Sequence, residues 1–169
     1  SDKRTEKVVM MYGAQLSKTE ILLNTFGYFA DYDPAPIMFL MPSQKLAEDF
    51  ASTRLNDMVA STPQLRSKVT EKEGGRDTKL QKEFSGGGFG LSGGISATGV
   101  LSWPIRVLLA GGIERFPSNV QGEGDPLNLA IERTKTFWNK KIVVTSTPTI
   151  KNSSRIESEN LTTPKEENY

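Results

Sequence analysis

Lys18 and Thr19 open an apolar-periodic helix, five residues after Gly13 and just behind the apolar run Val8-Val9-Met10-Met11. An ammonium followed by a hydroxyl at a helix start suits the binding of a polyphosphate. Backbone N–H groups of the preceding turn and the positive end of the helix dipole converge on such an anion. The lysine adds a point charge, and the hydroxyl after it joins a Mg²⁺ shell. On this reading Gly13, Ala14, Gln15, Leu16, Ser17, Lys18 and Thr19 form a nucleotide-binding loop, with Thr19 as metal ligand. The strict pattern G-x-x-x-x-G-K-[ST] is not met. Tyr12 takes the first glycine position, Gly13 lies one residue late, and Ser17 replaces the glycine before Lys18. An ordinary strand–turn–helix with an exposed Lys-Thr at its start fits the same residues.

Composition narrows the remaining chemistry. The 169 residues are enough for one domain with a substantial core, and 36% hydrophobic with 24% charged residues is a globular balance. A net charge of +1 gives no global basic field for nucleic acid. The absence of cysteine and histidine excludes disulfides, thiolate metal sites and imidazole catalysis. No apolar run approaches the ~20 residues of a membrane span, and residues 1–7 lack the apolar segment of a signal peptide. An intracellular protein is the expectation.

The elements that must position Lys18 follow from pattern. Apolar residues from Ile21 to Tyr32 recur at helical spacing, and Asp33-Pro34-Ala35-Pro36 stops that helix. Ile37 to Met41 is a continuous apolar run, the mark of a parallel strand buried on both faces. Ser43 is the expected N-cap of a second helix carrying Leu46, Ala47, Phe50, Leu55, Met58 and Val59 on its apolar side. A short helical turn is expected in Gln64 to Lys72. Thr78 to Phe84, Ser85-Gly86-Gly87-Gly88 and Phe89 to Ser92 read as a β-hairpin. Ile105 to Ala110 is a third buried strand ended by Gly111-Gly112, Leu127 to Trp138 a helix, and Ile142 to Thr145 a fourth strand. Trp103 and Trp138 read as packing residues. From Lys151 onward no core face is visible. The order predicts an α/β domain with a mainly parallel sheet, whose ligands gather at the carboxyl ends of the strands. Three polar turns sit there: Tyr12 to Thr19, Gly111-Gly112, and Ser146-Thr147.

Five stretches together carry a family resemblance. They are Ala14 to Glu20; Met41 to Phe50 with Arg54-Leu55; Pro104 to Leu109; Gly122 to Pro126 with Arg133-Thr134; and Thr145 to Thr149 followed by Ser154 to Glu157. In this order, over nearly the whole chain, they resemble the ATPase segment of the terminase large subunit of tailed bacteriophages, in its lambda-like branch. The resemblance implies a RecA-like P-loop NTPase with an inserted hairpin over 1–150. Residues 151–169 would then be a polar linker toward a nuclease domain beyond Tyr169, and an adenine-embracing segment would lie before Ser1. It implies ATP and Mg²⁺ as cofactors, and hydrolysis coupled to translocation of double-stranded DNA into a procapsid in the host cytoplasm. The implied partners are the terminase small subunit, the portal protein and further copies of the chain, with no membrane.

Roles carry over by position. Lys18 would hold the β- and γ-phosphates, Thr19 the Mg²⁺, and Gln15 would support the loop. Ser146 and Thr147 would sense hydrolysis and couple it to movement. Gly111 and Gly112 stand where the family has Asp-Glu, which hold the metal and orient the attacking water. Glycine does neither, and Glu114 lies two residues further on. Two readings result: an ATP-driven packaging motor impaired in hydrolysis, or a non-catalytic nucleotide- or partner-binding module that keeps the fold. For Arg106, Arg133 and the cluster Arg133, Lys135, Lys140, Lys141, contact with phosphate or DNA stands against solvated or paired side chains. For Glu123 and Asp125, a metal pair stands against a rigid turn and helix start.

Overall fold

The computed structural model describes residues 5–13, 17–69, 81–86, 88–94, 103–120, 122–150 and 153–162. The apolar runs become strands β1 (Lys7–Met11), β2 (Pro36–Met41), β5 (Val107–Gly111) and β6 (Lys141–Ser146). A hairpin supplies β3 (Gln81–Glu83) and β4 (Phe89–Gly94). All six form one sheet in the order β1-β6-β5-β2-β4-β3. Every neighbouring pair is parallel except β3–β4. The expected α/β class with a mainly parallel sheet is therefore observed. The third strand differs in detail: it starts at Val107 and includes Gly111.

The hairpin is expected as an insertion, yet β4 pairs in parallel with β2 and widens the main sheet. Glycine makes this approach possible. A Cβ at Gly90 would lie 2.6 Å from the Phe26 ring, and one at Gly88 would lie 2.7 Å from the Ala35 backbone nitrogen.

Helices cover both faces. On one side pack α1 (Lys18–Asp31), α2 (Gln44–Phe50), α3 (Asn56–Ser61) and α4 (Pro63–Lys68). On the other pack α5 (Pro126–Glu132) and α6 (Arg155–Thr162). Strand alternation divides the core between them. Ile37, Phe39 and Met41 face the first layer with Leu22, Phe26 and Phe50, while Met38 and Leu40 face the second with Leu127 and Ile156. Ser43 caps α2 as expected, accepting from the Leu46 N–H at 3.3 Å. A π-helical turn, Ala51–Leu55, joins α2 to α3 without a break.

Three expectations need correction. The helix from 127 stops at Glu132, not Trp138, because the Thr134 hydroxyl bonds the Ile131 carbonyl at 2.7 Å and the backbone tightens into i→i+3 turns. Trp138 is 80% exposed and so packs against little. Residues 155–162 do have a core face. Ile156 of α6 is fully buried, and the helix is tied down by Lys7–Glu159 at 2.6 Å and by an Arg155–Asp125 ion pair. One buried side chain per two turns leaves too sparse a pattern for periodicity to register.

Candidate functional site

Ser17 leads directly into α1. Ser17 has φ 49 and ψ 19, left-handed geometry that the glycine of the strict motif adopts without a Cβ penalty. Its side chain makes no capping bond, so the first-turn N–H groups of α1 receive none from it. Lys18 reaches across the site: its ammonium donates to the Gly13 carbonyl at 3.0 Å and to the Thr147 hydroxyl. Loop start, helix start and the end of β6 are thus joined by one side chain.

Backbone register brings the strand ends together. Met11 is level with Ser146, and Gly111 with Thr145. The Tyr12 N–H bonds the Ser146 carbonyl at 3.2 Å, and the Gly112 N–H bonds the Thr145 carbonyl at 2.9 Å. Ser146 is buried, and its hydroxyl accepts from the Glu114 N–H at 3.4 Å. A cleft of about 630 Å³ opens over these ends, and Lys18, Thr19, Gly111, Gly112, Ser146 and Thr147 all line it. Gly13 and Ser17 flank it through Lys18. Ala14, Gln15 and Leu16 lie outside the described residues.

Several lining residues were given no site role by the sequence. Asp49, Thr53 and Arg54 form a far wall on α2 and the π-helical turn, a distortion that recurs at functional sites. Arg54 pairs with Glu20 of α1 at 3.0 Å across the rim. Arg115, in the 3₁₀ turn Ile113–Arg115, also lines the cleft. Leu46 has core spacing but is 40% exposed on this wall. A position on the helix facing the end of the sheet, not its face, carries no distinct pattern.

Glu114 is the carboxylate nearest Gly111 and Gly112 in sequence, and it too lines the cleft. Its Oε1 accepts from the Ser154 hydroxyl at 2.5 Å and the Ile156 N–H at 2.8 Å, and its Oε2 from the Thr149 hydroxyl at 3.3 Å. Partial burial pushes its pKa up. Hydrogen bonds from Ser154, the Ile156 and Arg155 backbone and Thr149 outweigh this and hold the carboxyl below its ordinary value. Glu114 therefore caps the start of α6 and ties it to the turn after β6.

The cleft fits a polyphosphate better than it fits the expected metal. Lys18, the helix start and the Thr147 hydroxyl suit phosphate oxygens. For Mg²⁺ the Thr19 hydroxyl is present, but Gly111 and Gly112 offer no donor, and both oxygens of Glu114 already accept hydrogen bonds. Among the described residues no group of three acidic or other ligating side chains exists. The two glycines also differ. A Cβ at Gly111 would press on the flexible end of Leu22 at 3.3 Å and touch the Met41 sulfur at 3.8 Å, whereas Gly112 sits at φ +71 with Pro42 at 3.3 Å.

Arg106, Lys135, Lys140 and Lys141 have partners within the chain. Arg106 forms a two-point ion pair with Asp33 and lies 5.5 Å from the centre of the Phe29 ring. Lys135 pairs with Glu132, Lys140 with Glu6, and Lys141 donates to the Thr5 carbonyl. Asp125 is the N-cap of α5, accepting from the Leu127 and Asn128 N–H groups, as a helix-start residue should.

Comparison with known proteins extends the match beyond the site. Residues 1–169 match the family described as phage terminase large subunit gpA, ATPase domain. The chain is 27% identical over 154 residues to the terminase large subunit of Enterobacteria phage P21, and 24% identical over 155 residues to that of Escherichia phage lambda. Each alignment covers 89% of this chain and 24% of the relative, so the chain spans about a quarter of their length.

Proposed function

This chain belongs to the phage terminase large subunit gpA ATPase-domain family, and from that premise we propose that it binds ATP in the cleft over β1, β6 and β5 and serves the packaging of double-stranded DNA into a procapsid. The observation that carries the reading is the Lys18 side chain, which spans Gly13 and Thr147 at the cleft floor. Gly13 to Thr19 supply the phosphate cradle. Ser146 and Thr147 sense the terminal phosphate, since Thr147 shares Lys18 with it and Ser146 touches the turn after β5. The working partners are the terminase small subunit, the portal protein and further copies of this chain, in the host cytoplasm. Residues 1–150 form the ATPase core, and 151–169 lead toward a nuclease domain, with α6 docked on the core first.

Hydrolysis is impaired in this reading. Phosphoryl transfer to water depends on neutralised charge and a positioned nucleophile, and Gly111 and Gly112 provide neither. A second reading, a non-catalytic nucleotide- or partner-binding assembly module, is favoured by that same glycine pair. Lys18→Ala tests the site common to both nucleotide readings. Removing a charged hydrogen-bonding group of this kind costs about 1.5–3 kcal/mol, roughly a 10- to 150-fold loss of ATP-analogue affinity. The circular dichroism spectrum should hold, because Lys18 is not among the buried core residues. Unchanged affinity in titration calorimetry rejects the phosphate cradle.

A further inference from the structure

We propose that this cleft takes a nucleoside triphosphate free of divalent cation, with Lys18 and Arg115 meeting the charge that a metal meets elsewhere; this rests on the nucleotide reading of the site. Two sets of observations converge. On the metal side, the strand-end positions suited to carboxylates are Gly111 and Gly112. The carboxylate beyond them, Glu114, gives Oε1 to Ser154 and Ile156 and Oε2 to Thr149. Thr19 alone is a poor start for an octahedral shell of oxygens around Mg²⁺. Asp49 is the other carboxylate on the lining; it stands on α2 and not at the end of β5.

On the anion side, three cations line the cleft: Lys18, Arg115 and Arg54. Arg54 is paired with Glu20, both side chains being more than half exposed. Arg115 is not: its guanidinium has no ion pair or hydrogen bond among the described residues, while its neighbour Glu114 is held by hydroxyl and backbone donors. A guanidinium is always charged and presents paired donors that match two phosphate oxygens. It sits one residue after Glu114, in the turn that leaves the glycine pair. With glycines at the end of β5 and Arg115 in the turn that follows, the side-chain charge there is one that attracts phosphate directly.

The test is a fluorescence titration of the whole chain with mant-ATP, in excess EDTA and in millimolar Mg²⁺. Equal affinity in the two buffers, within about threefold, is the expected result. Arg115→Ala should weaken binding about tenfold in both, and Arg115→Lys by less, because charge remains and the fork is lost. Gly111→Asp, whose side chain the flexible Leu22 end can accommodate, should weaken binding in EDTA and make Mg²⁺ restore it. Three results overturn the proposal and leave the nucleotide site standing. They are wild-type affinity that falls more than about tenfold in EDTA, which would assign metal ligation to Asp49; Arg115→Ala binding as well as wild type; and Gly111→Asp remaining indifferent to Mg²⁺. Absence of mant-ATP binding in either buffer rejects the nucleotide reading itself.

Discussion

Ser17 shows how one residue can keep a site's geometry while departing from its usual chemistry. Its backbone holds the left-handed turn that starts α1, and its hydroxyl makes no cap. Ser17→Gly should therefore raise stability by roughly 0.5 kcal/mol, the ~1 kcal/mol relief of left-handed strain less ~0.5 kcal/mol of added chain entropy. Ser17→Ala should be nearly neutral, within about 0.5 kcal/mol, where a true capping serine costs ~1 kcal/mol. Urea denaturation of both variants decides the matter. A loss of 1 kcal/mol or more in the alanine variant would mean that the hydroxyl is engaged after all.

At the scale of elements, Glu114 links three pieces: the turn after β5, the turn after β6 at Thr149, and the N-terminus of α6. Because its folded pKa is depressed, its contribution is fully present above the ordinary carboxylate value and is lost as pH falls through the folded value. Glu114→Gln should cost about 1 kcal/mol near neutrality. The difference from wild type should vanish in acid, where the native carboxyl is protonated as well. A gap that persists unchanged in acid would assign the loss to packing. Glu114 also relates the cleft to α6, since its backbone N–H donates to the Ser146 hydroxyl.

For the molecule as a whole, the question is where the cooperative unit ends. Ile156 is fully buried in the core layer that holds Leu127, Ile142 and Val144, so α6 belongs to the body of the domain. Ile156→Ala should lower global stability by about 2–5 kcal/mol, in line with other buried aliphatic truncations. Thermal melts followed by near- and far-UV circular dichroism should shift together. Were 155–162 merely a tethered linker, the melt would not move. The sheet order adds a second whole-molecule fact: β6 lies between β1 and β5, so the two strand ends of the proposed nucleotide chemistry flank the proposed sensor strand.

Much of this was legible in the chain itself. Unbroken apolar runs such as Ile37 to Met41 specify strands covered on both faces, since no alternation leaves a side for water. Ser43 and Asp125 announce their helices because capping is local chemistry between neighbours. Lys18 at a strand–turn–helix junction marks the cleft for the same reason. Other features arise only when distant segments meet. Leu46 has the spacing of a core residue, and only the end of the sheet leaves it on the cleft wall. Trp138 has core character and is left exposed by a helix that stops six residues earlier, at Glu132. Arg115 faces the cleft, and Glu114 turns from a spare acid into the cap of α6, because Ser154 and Ile156 arrive from forty residues away. Local spacing records period and capping; it holds no record of which partner, far along the chain, will satisfy a charge.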